Sequence, residues 1–146
     1  HRISGPDIVD GIAEGWAEVQ RIGGVLLLAQ MSSRGNLLDQ KYTKETIETG
    51  KGSPHVIGYI GNGSSPQEIE QLRKIVGSGQ MIWTPGINLN TGAGKMGQRY
   101  GAPRESIVSG ADIIIVGSGI HGQEDRVGAA KAYAEASWNA ILERGK

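Results

Sequence analysis

Four short apolar runs, rich in β-branched residues, constrain this chain more than any other feature. They occupy residues 25–31, 55–60, 81–84 and 112–116, and their starts lie 30, 26 and 31 residues apart. Three of them lack polar alternation, the pattern of a parallel strand buried on both faces. The spacing is too long for hairpins and suits repeated strand–loop–helix units.

Helical patterns fill the intervals. Ile8, Ile12, Trp16 and Val19 predict one apolar stripe, with Pro6 suited to the first helical position. A short helix is expected over 43–49. Ser65-Pro66-Gln67-Glu68 reads as a capping box, and Ile69, Leu72 and Val76 give the helix behind it an apolar face. Pro103 opens another short helix. The longest is expected over 124–142, with Val127, Ala130, Ala134, Trp138 and Ile141 on one side.

Strict alternation of helix and strand implies an α/β fold with a parallel sheet. An open doubly wound sheet and part of a (β/α)8 barrel both satisfy the pattern. At 146 residues the chain has the length of about one domain. A complete barrel needs roughly 250 residues, so this chain could hold half of one. It opens on a helix with no strand before it, as a segment cut from a larger fold would.

Composition narrows the function. Fifteen basic residues balance fifteen acidic ones, which argues against nucleic-acid binding through bulk charge and against a polybasic membrane-surface role. No apolar stretch approaches the roughly 20 residues of a membrane span. The lack of cysteine suits a reducing compartment, and a cytoplasmic protein is expected. Glycine supplies 24 residues, set between apolar runs as turn residues are.

Gly117-Ser118-Gly119-Ile120-His121-Gly122 matches G-x-G-x-x-G between a strand and a helix. A dinucleotide fold places that motif after its first strand, whereas here it follows the last. What survives is a glycine loop suited to a phosphate at a helix N-terminus, or else a plain turn. Residues 91–97 lack the first glycine and the hydroxyl residue of a Walker loop. The stretch 88–97 reads as an active-site lid or as an irregular loop. His1, His55 and His121 have no metal-ligand spacing, and no acid/base constellation is complete.

Ala29-Gln30-Met31-Ser32-Ser33-Arg34-Gly35-Asn36-Leu37 followed by Tyr42-Thr43 resembles the A-E-M/L-S-S-x-G-x-L…Y-T segment of orotidine 5′-phosphate decarboxylases. Thr84-Pro85-Gly86-Ile87 is similar to the family's T-P-G-V/I strand end. Gly97-Gln98-Arg99-Tyr100 resembles its G-Q-Q-Y, and residues 112–119 its D-I-I-I-V-G-R-G. The segments occur in the family's order, run over nearly the whole chain and favour its eukaryotic branch. The resemblance implies a (β/α)8 barrel used as a homodimer, with residues 1–146 as the C-terminal half-barrel carrying strands 5 to 8.

It further implies decarboxylation of orotidine 5′-monophosphate to uridine 5′-monophosphate, with no metal and no organic cofactor. Ser32 would then hydrogen-bond the pyrimidine edge, and Pro85 would wall the base pocket. Gln98 and Tyr100 would bind the phosphate, with backbone N–H groups of Gly117 and Ser118. The family's catalytic Asp-x-Lys-x-x-Asp array has no counterpart here, so no catalytic residue is assigned. The chain alone is therefore expected to be inactive, with an N-terminal half-barrel chain or fragment as partner. Ser118 also stands where the family has an arginine, whose planar fork a serine cannot replace. A non-catalytic phosphate- or nucleotide-binding half-barrel is the alternative reading.

Overall fold

Each apolar run forms a strand, though three are shorter than their sequence pattern: β1 (Val25–Leu28), β2 (Val56–Ile60), β3 (Met81–Thr84) and β4 (Ile113–Ile114). β1 ends early because the Ile60 carbonyl accepts both the Ala29 and the Gln30 N–H, at 3.0 Å each, and the ladder stops there. β4 is flanked by two further ladder bonds, Asp112 N–H to Ile82 O and Ile115 N–H to Thr84 O, both 2.9 Å. The computed structural model describes residues 1–90 and 100–145. The expected lid and the Walker-like stretch therefore lie almost wholly outside the described residues.

The helices are α1 (Ile8–Glu18), α2 (Gln40–Lys51), α3 (Pro66–Val76), α4 (Pro103–Val108), α5 (Ser118–His121) and α6 (Arg126–Arg144). α2 begins earlier than its apolar pattern because the Asp39 carboxylate accepts the Tyr42 N–H at 2.7 Å. Asp125 starts α6 in the same way, accepting from Gly128 at 2.8 Å. The capping box at α3 is half made: the Ser65 hydroxyl accepts the Glu68 N–H, while the Glu68 carboxylate takes the Asn62 amide instead. Pro66 and Pro103 open their helices, whereas Pro6 lies before α1, which Asp7 precedes.

All strand pairs are parallel, and their spatial order is β1-β2-β3-β4. Sequential order decides between the two architectures. A doubly wound sheet reverses its order at a switch point, and none occurs among the described strands. Right-handed crossovers between consecutive neighbours keep every helix on one face, as in a barrel wall. Burial along β3 agrees: Ile82 and Thr84 are fully buried, and Met81 and Trp83 are half-buried. The sheet thus departs from the expected burial on both faces, since Met81 and Trp83 are half-buried and Ile57 of β2 is exposed.

Two apolar clusters fill that layer. Leu27, Ile47, Tyr59, Leu72 and Ile82 lie in one, and Ile69, Ile107, Ala111 and Ala140 form the other. Tyr59 donates from its phenol to Ile47 O at 2.9 Å and contacts Gln80 Oε1 at 3.0 Å. Burial pushes this phenol up to about 12, a rise the Gln80 contact opposes and the Glu48 charge reinforces.

The outermost helices correct two expectations. The stripe assigned to α6 points outward, with Val127 66% and Trp138 61% exposed and Ala130 and Ala134 also exposed. Tyr133 and Ala140 are its buried residues, and Ile141 is half-buried. α1 likewise buries only Val9, leaving Ile8, Ile12 and Val19 exposed. Both helices border the ends of the sheet, where neighbours are present on one side only. A groove of about 560 Å³ runs beside β4, lined among others by Trp83, Ile114, Tyr133, Ala134 and Ile141.

A clamp secures the N-terminal end of β4. The Asp112 carboxylate accepts the Ile82 N–H at 2.9 Å and pairs with Arg73 and Arg144. Arg73 also donates to the carbonyls of Gly77, Gln80 and Gly110, and Arg144 to those of Ile107 and Ala111. One carboxylate thus fastens β3, α3 and α6 to the edge strand.

Candidate active site

The loops that leave the C-terminal ends of parallel strands share one rim of the sheet, where barrel proteins build their sites. After β1 the chain enters Ala29-Gln30-Met31-Ser32-Ser33. Ser32 is 5% exposed. Asn36 folds this loop back on itself, donating its amide to Ser33 O at 2.8 Å and accepting the Leu38 N–H at 3.0 Å. Gln30 braces it from behind, its side-chain oxygen accepting the Asn62 N–H at 3.0 Å. Asn62 is itself buried and holds Glu68 and Ser64.

After β3, Thr84 bonds the Ser106 hydroxyl of α4 at 2.8 Å, which anchors the strand end before Pro85. Gly86 then turns the chain at φ +78°, a conformation that favours glycine. Its carbonyl accepts the Gly101 N–H at 2.9 Å, and Gly101 O accepts the Asn88 N–H at 3.0 Å. The two stems of the long β3–α4 loop are therefore bonded to each other. Ser32 and Pro85, from different loops, line one cavity of about 260 Å³ with Leu28, Gln30, Met31 and Ser33.

The second cluster joins the loops after β3 and β4. The Tyr100 and Ser118 hydroxyls are 3.3 Å apart, and both side chains reach water. Gly117 caps α5, and its carbonyl accepts the Ile120 and His121 N–H groups at 3.0 Å each. The N–H groups of Ser118 and Gly119 precede that ladder and have no acceptor within it. Of the six residues singled out from sequence, Ser32 pairs with Pro85 and Tyr100 with Ser118, beside Gly117. Gln98 lies outside the described residues. Among the described residues, no three His, Asp or Glu side chains converge as a metal site would require.

Sequence reasoning missed Asn36, the Gln30–Asn62–Glu68 brace and Tyr133, whose hydroxyl accepts the Leu89 N–H at 3.0 Å. The available signal for Tyr133 was a lone tyrosine in an alanine-rich helix.

Residues 1–133 match the Orotidine 5'-phosphate decarboxylase / HUMPS family. The chain belongs to this family. It is 39% identical over 147 residues to the orotidine 5'-phosphate decarboxylase of Phycomyces blakesleeanus, and 38% identical over 149 residues to that of Pichia kudriavzevii. Those alignments cover 99% and 100% of this chain but 52% and 55% of the relatives, so the chain spans about half their length. The fold agrees. The Pyrococcus horikoshii decarboxylase structure matches with a TM-score of 0.63 at 27% identity, over 83% of this chain and 54% of that one. The Methanocaldococcus jannaschii structure matches at 0.70 and 22% identity, over 93% and 58%. This chain is similar to half of a decarboxylase barrel. Among the described residues, no helix is long and apolar enough to cross a membrane.

Proposed function

We propose that this chain is the C-terminal half of an orotidine 5′-phosphate decarboxylase and supplies its pyrimidine and phosphate binding. Ser32 hydrogen-bonds the pyrimidine edge, and Pro85 walls the base pocket. Gln98, Tyr100 and the backbone N–H groups of Gly117 and Ser118 hold the 5′-phosphate. One observation carries the reading: four of these residues, brought by three separate loops, form two pairs on the C-terminal rim of a sequentially ordered parallel sheet, Ser32 with Pro85 and Tyr100 with Ser118.

The chemistry belongs to the other half. In the family an Asp-x-Lys-x-x-Asp array follows strand 3, and its lysine protonates C6 as carbon dioxide leaves. One aspartate comes from the second subunit, so the working form is a homodimer of complete barrels. No residue of this chain is assigned to proton transfer. Its contribution is binding energy from the phosphate, remote from the reacting carbon, which can be used to stabilise the transition state there. The enzyme needs no metal and no organic cofactor, and it acts in the cytoplasm. Ser118 in place of the family arginine favours a second reading, a half-barrel that binds nucleotides without catalysis.

Intact-mass analysis of the protein purified from its source separates the two. The decarboxylase reading expects an Asp-x-Lys-x-x-Asp segment in equal amount, on a second polypeptide or on a longer form of this one. A monodisperse folded monomer of residues 1–146 alone would overturn it.

A further inference from the structure

We propose that Tyr133 is a positioning residue that sets the spacing of the phosphate grip, an inference that rests on the phosphate reading above. Tyr133 lies on α6, is 4% exposed and touches neither Ser118 nor Tyr100 through any hydrogen bond of its hydroxyl. That hydroxyl accepts the Leu89 N–H at 3.0 Å and donates to Asn88 Oδ1 at 3.3 Å. It thereby fixes the outgoing stem of the β3–α4 loop. Asn88 passes the constraint on, because its N–H bonds Gly101 O beside Tyr100.

The same hydroxyl abuts the other loop. A Cβ at Gly119 would overlap the Tyr133 hydroxyl and crowd Val116, so only glycine lets α5 sit this close. One oxygen therefore touches the stem that leads to Tyr100 and the backbone that carries Ser118. The 3.3 Å spacing of the Tyr100 and Ser118 hydroxyls follows from where those two loops are held. A phenol suits the task, since it donates once, accepts, and sits on a rigid ring. Phenylalanine would fill nearly the same space without bonding the Asn88–Leu89 stem.

The test uses Tyr133→Phe and Gly119→Ala in the chain paired with the half that completes the barrel. Affinities for uridine 5′-monophosphate and uridine are measured by calorimetry, with thermal midpoints alongside. Tyr133→Phe is expected to weaken the nucleotide about three- to tenfold, the value of one or two lost neutral hydrogen bonds. Uridine, which has no phosphate, should change less than twofold. Gly119→Ala should act in the same direction, and the double variant should fall short of the sum because both act on one contact.

Equal weakening of both ligands with a lowered midpoint would make Tyr133 a packing residue and overturn the proposal. An unchanged preference for the nucleotide in Tyr133→Phe would overturn it too, while leaving the phosphate reading intact. If the unmodified protein itself shows no preference for the nucleotide, the phosphate reading fails and this inference fails with it.

Discussion

Ser118→Arg restores the side chain that the family places between the glycines of its last strand-end loop, and its effect can be estimated from the structure. Ser118 is exposed, and its hydroxyl lies 3.3 Å from that of Tyr100, a long contact whose loss costs little. A guanidinium at this position would offer a phosphate a charge-assisted pair of donors. Such hydrogen bonds contribute about 1.5–3 kcal/mol, or roughly tenfold to a hundredfold in affinity. The open setting places the expectation at the lower end, near tenfold, because water screens part of the attraction.

Calorimetry with uridine 5′-monophosphate and uridine, on both versions of the completed barrel, supplies the assay. The nucleotide should gain and the nucleoside should not. The gain should shrink as ionic strength rises, since the Debye length falls from about 10 Å at 0.1 M to about 3 Å at 1 M. Equal improvement for both ligands, or none for either, would refute the placement of Ser118 against the phosphate.

Asp112→Ala should lower unfolding free energy by about 2–4 kcal/mol, because it takes the carboxylate acceptor from the Ile82 N–H and the counter-charge from two guanidinium groups that keep only their carbonyl partners. A urea midpoint within error of the parent's would remove the clamp from the account. Tyr59 has a folded value of about 12 against 10.0 unfolded, so its phenol favours the folded state fully below pH 10. That contribution should disappear as pH rises from about 10 to 12, and the decline should be shallower in Tyr59→Phe; identical pH profiles would contradict it. Residues 1–146 expressed alone should self-associate in light scattering, because exposed Val127, Trp138, Ile12 and Val19 border a half-open sheet.

The strands and their parallel order were legible because buried parallel strands are written as unbroken apolar runs, and residues 81–84 needed no correction. Helix starts were less so. A carboxylate cap such as Asp39 or Asp125 lies outside the apolar pattern that marks the helix, so α2 and α6 began where periodicity alone did not place them. The outward stripe of α6 follows a different logic. Its apolar residues at 127, 130, 134 and 138 have the right spacing for burial, but burial needs a neighbour, and the described residues supply one only on the Tyr133–Ala140 side.

The site divides in the same way. Ser32, Pro85, Tyr100 and Ser118 were singled out through short motifs in the loops that follow the strands, by their resemblance to a family's. Tyr133 and Asn62 act through contacts 44 and 32 residues away in sequence, which no local pattern encodes.

The central claim is that this half binds the nucleotide for a reaction whose catalytic groups lie on the other half. Decarboxylation of orotidine 5′-monophosphate, followed by its ultraviolet absorbance, tests that claim most directly. The assay compares residues 1–146 alone, the strand 1–4 half alone, and the two co-expressed. The account predicts turnover only in the co-expressed sample, with Ser32→Ala or Tyr100→Phe lowering it at unchanged assembly. Turnover by residues 1–146 alone, or an assembled but inert pair, would contradict it.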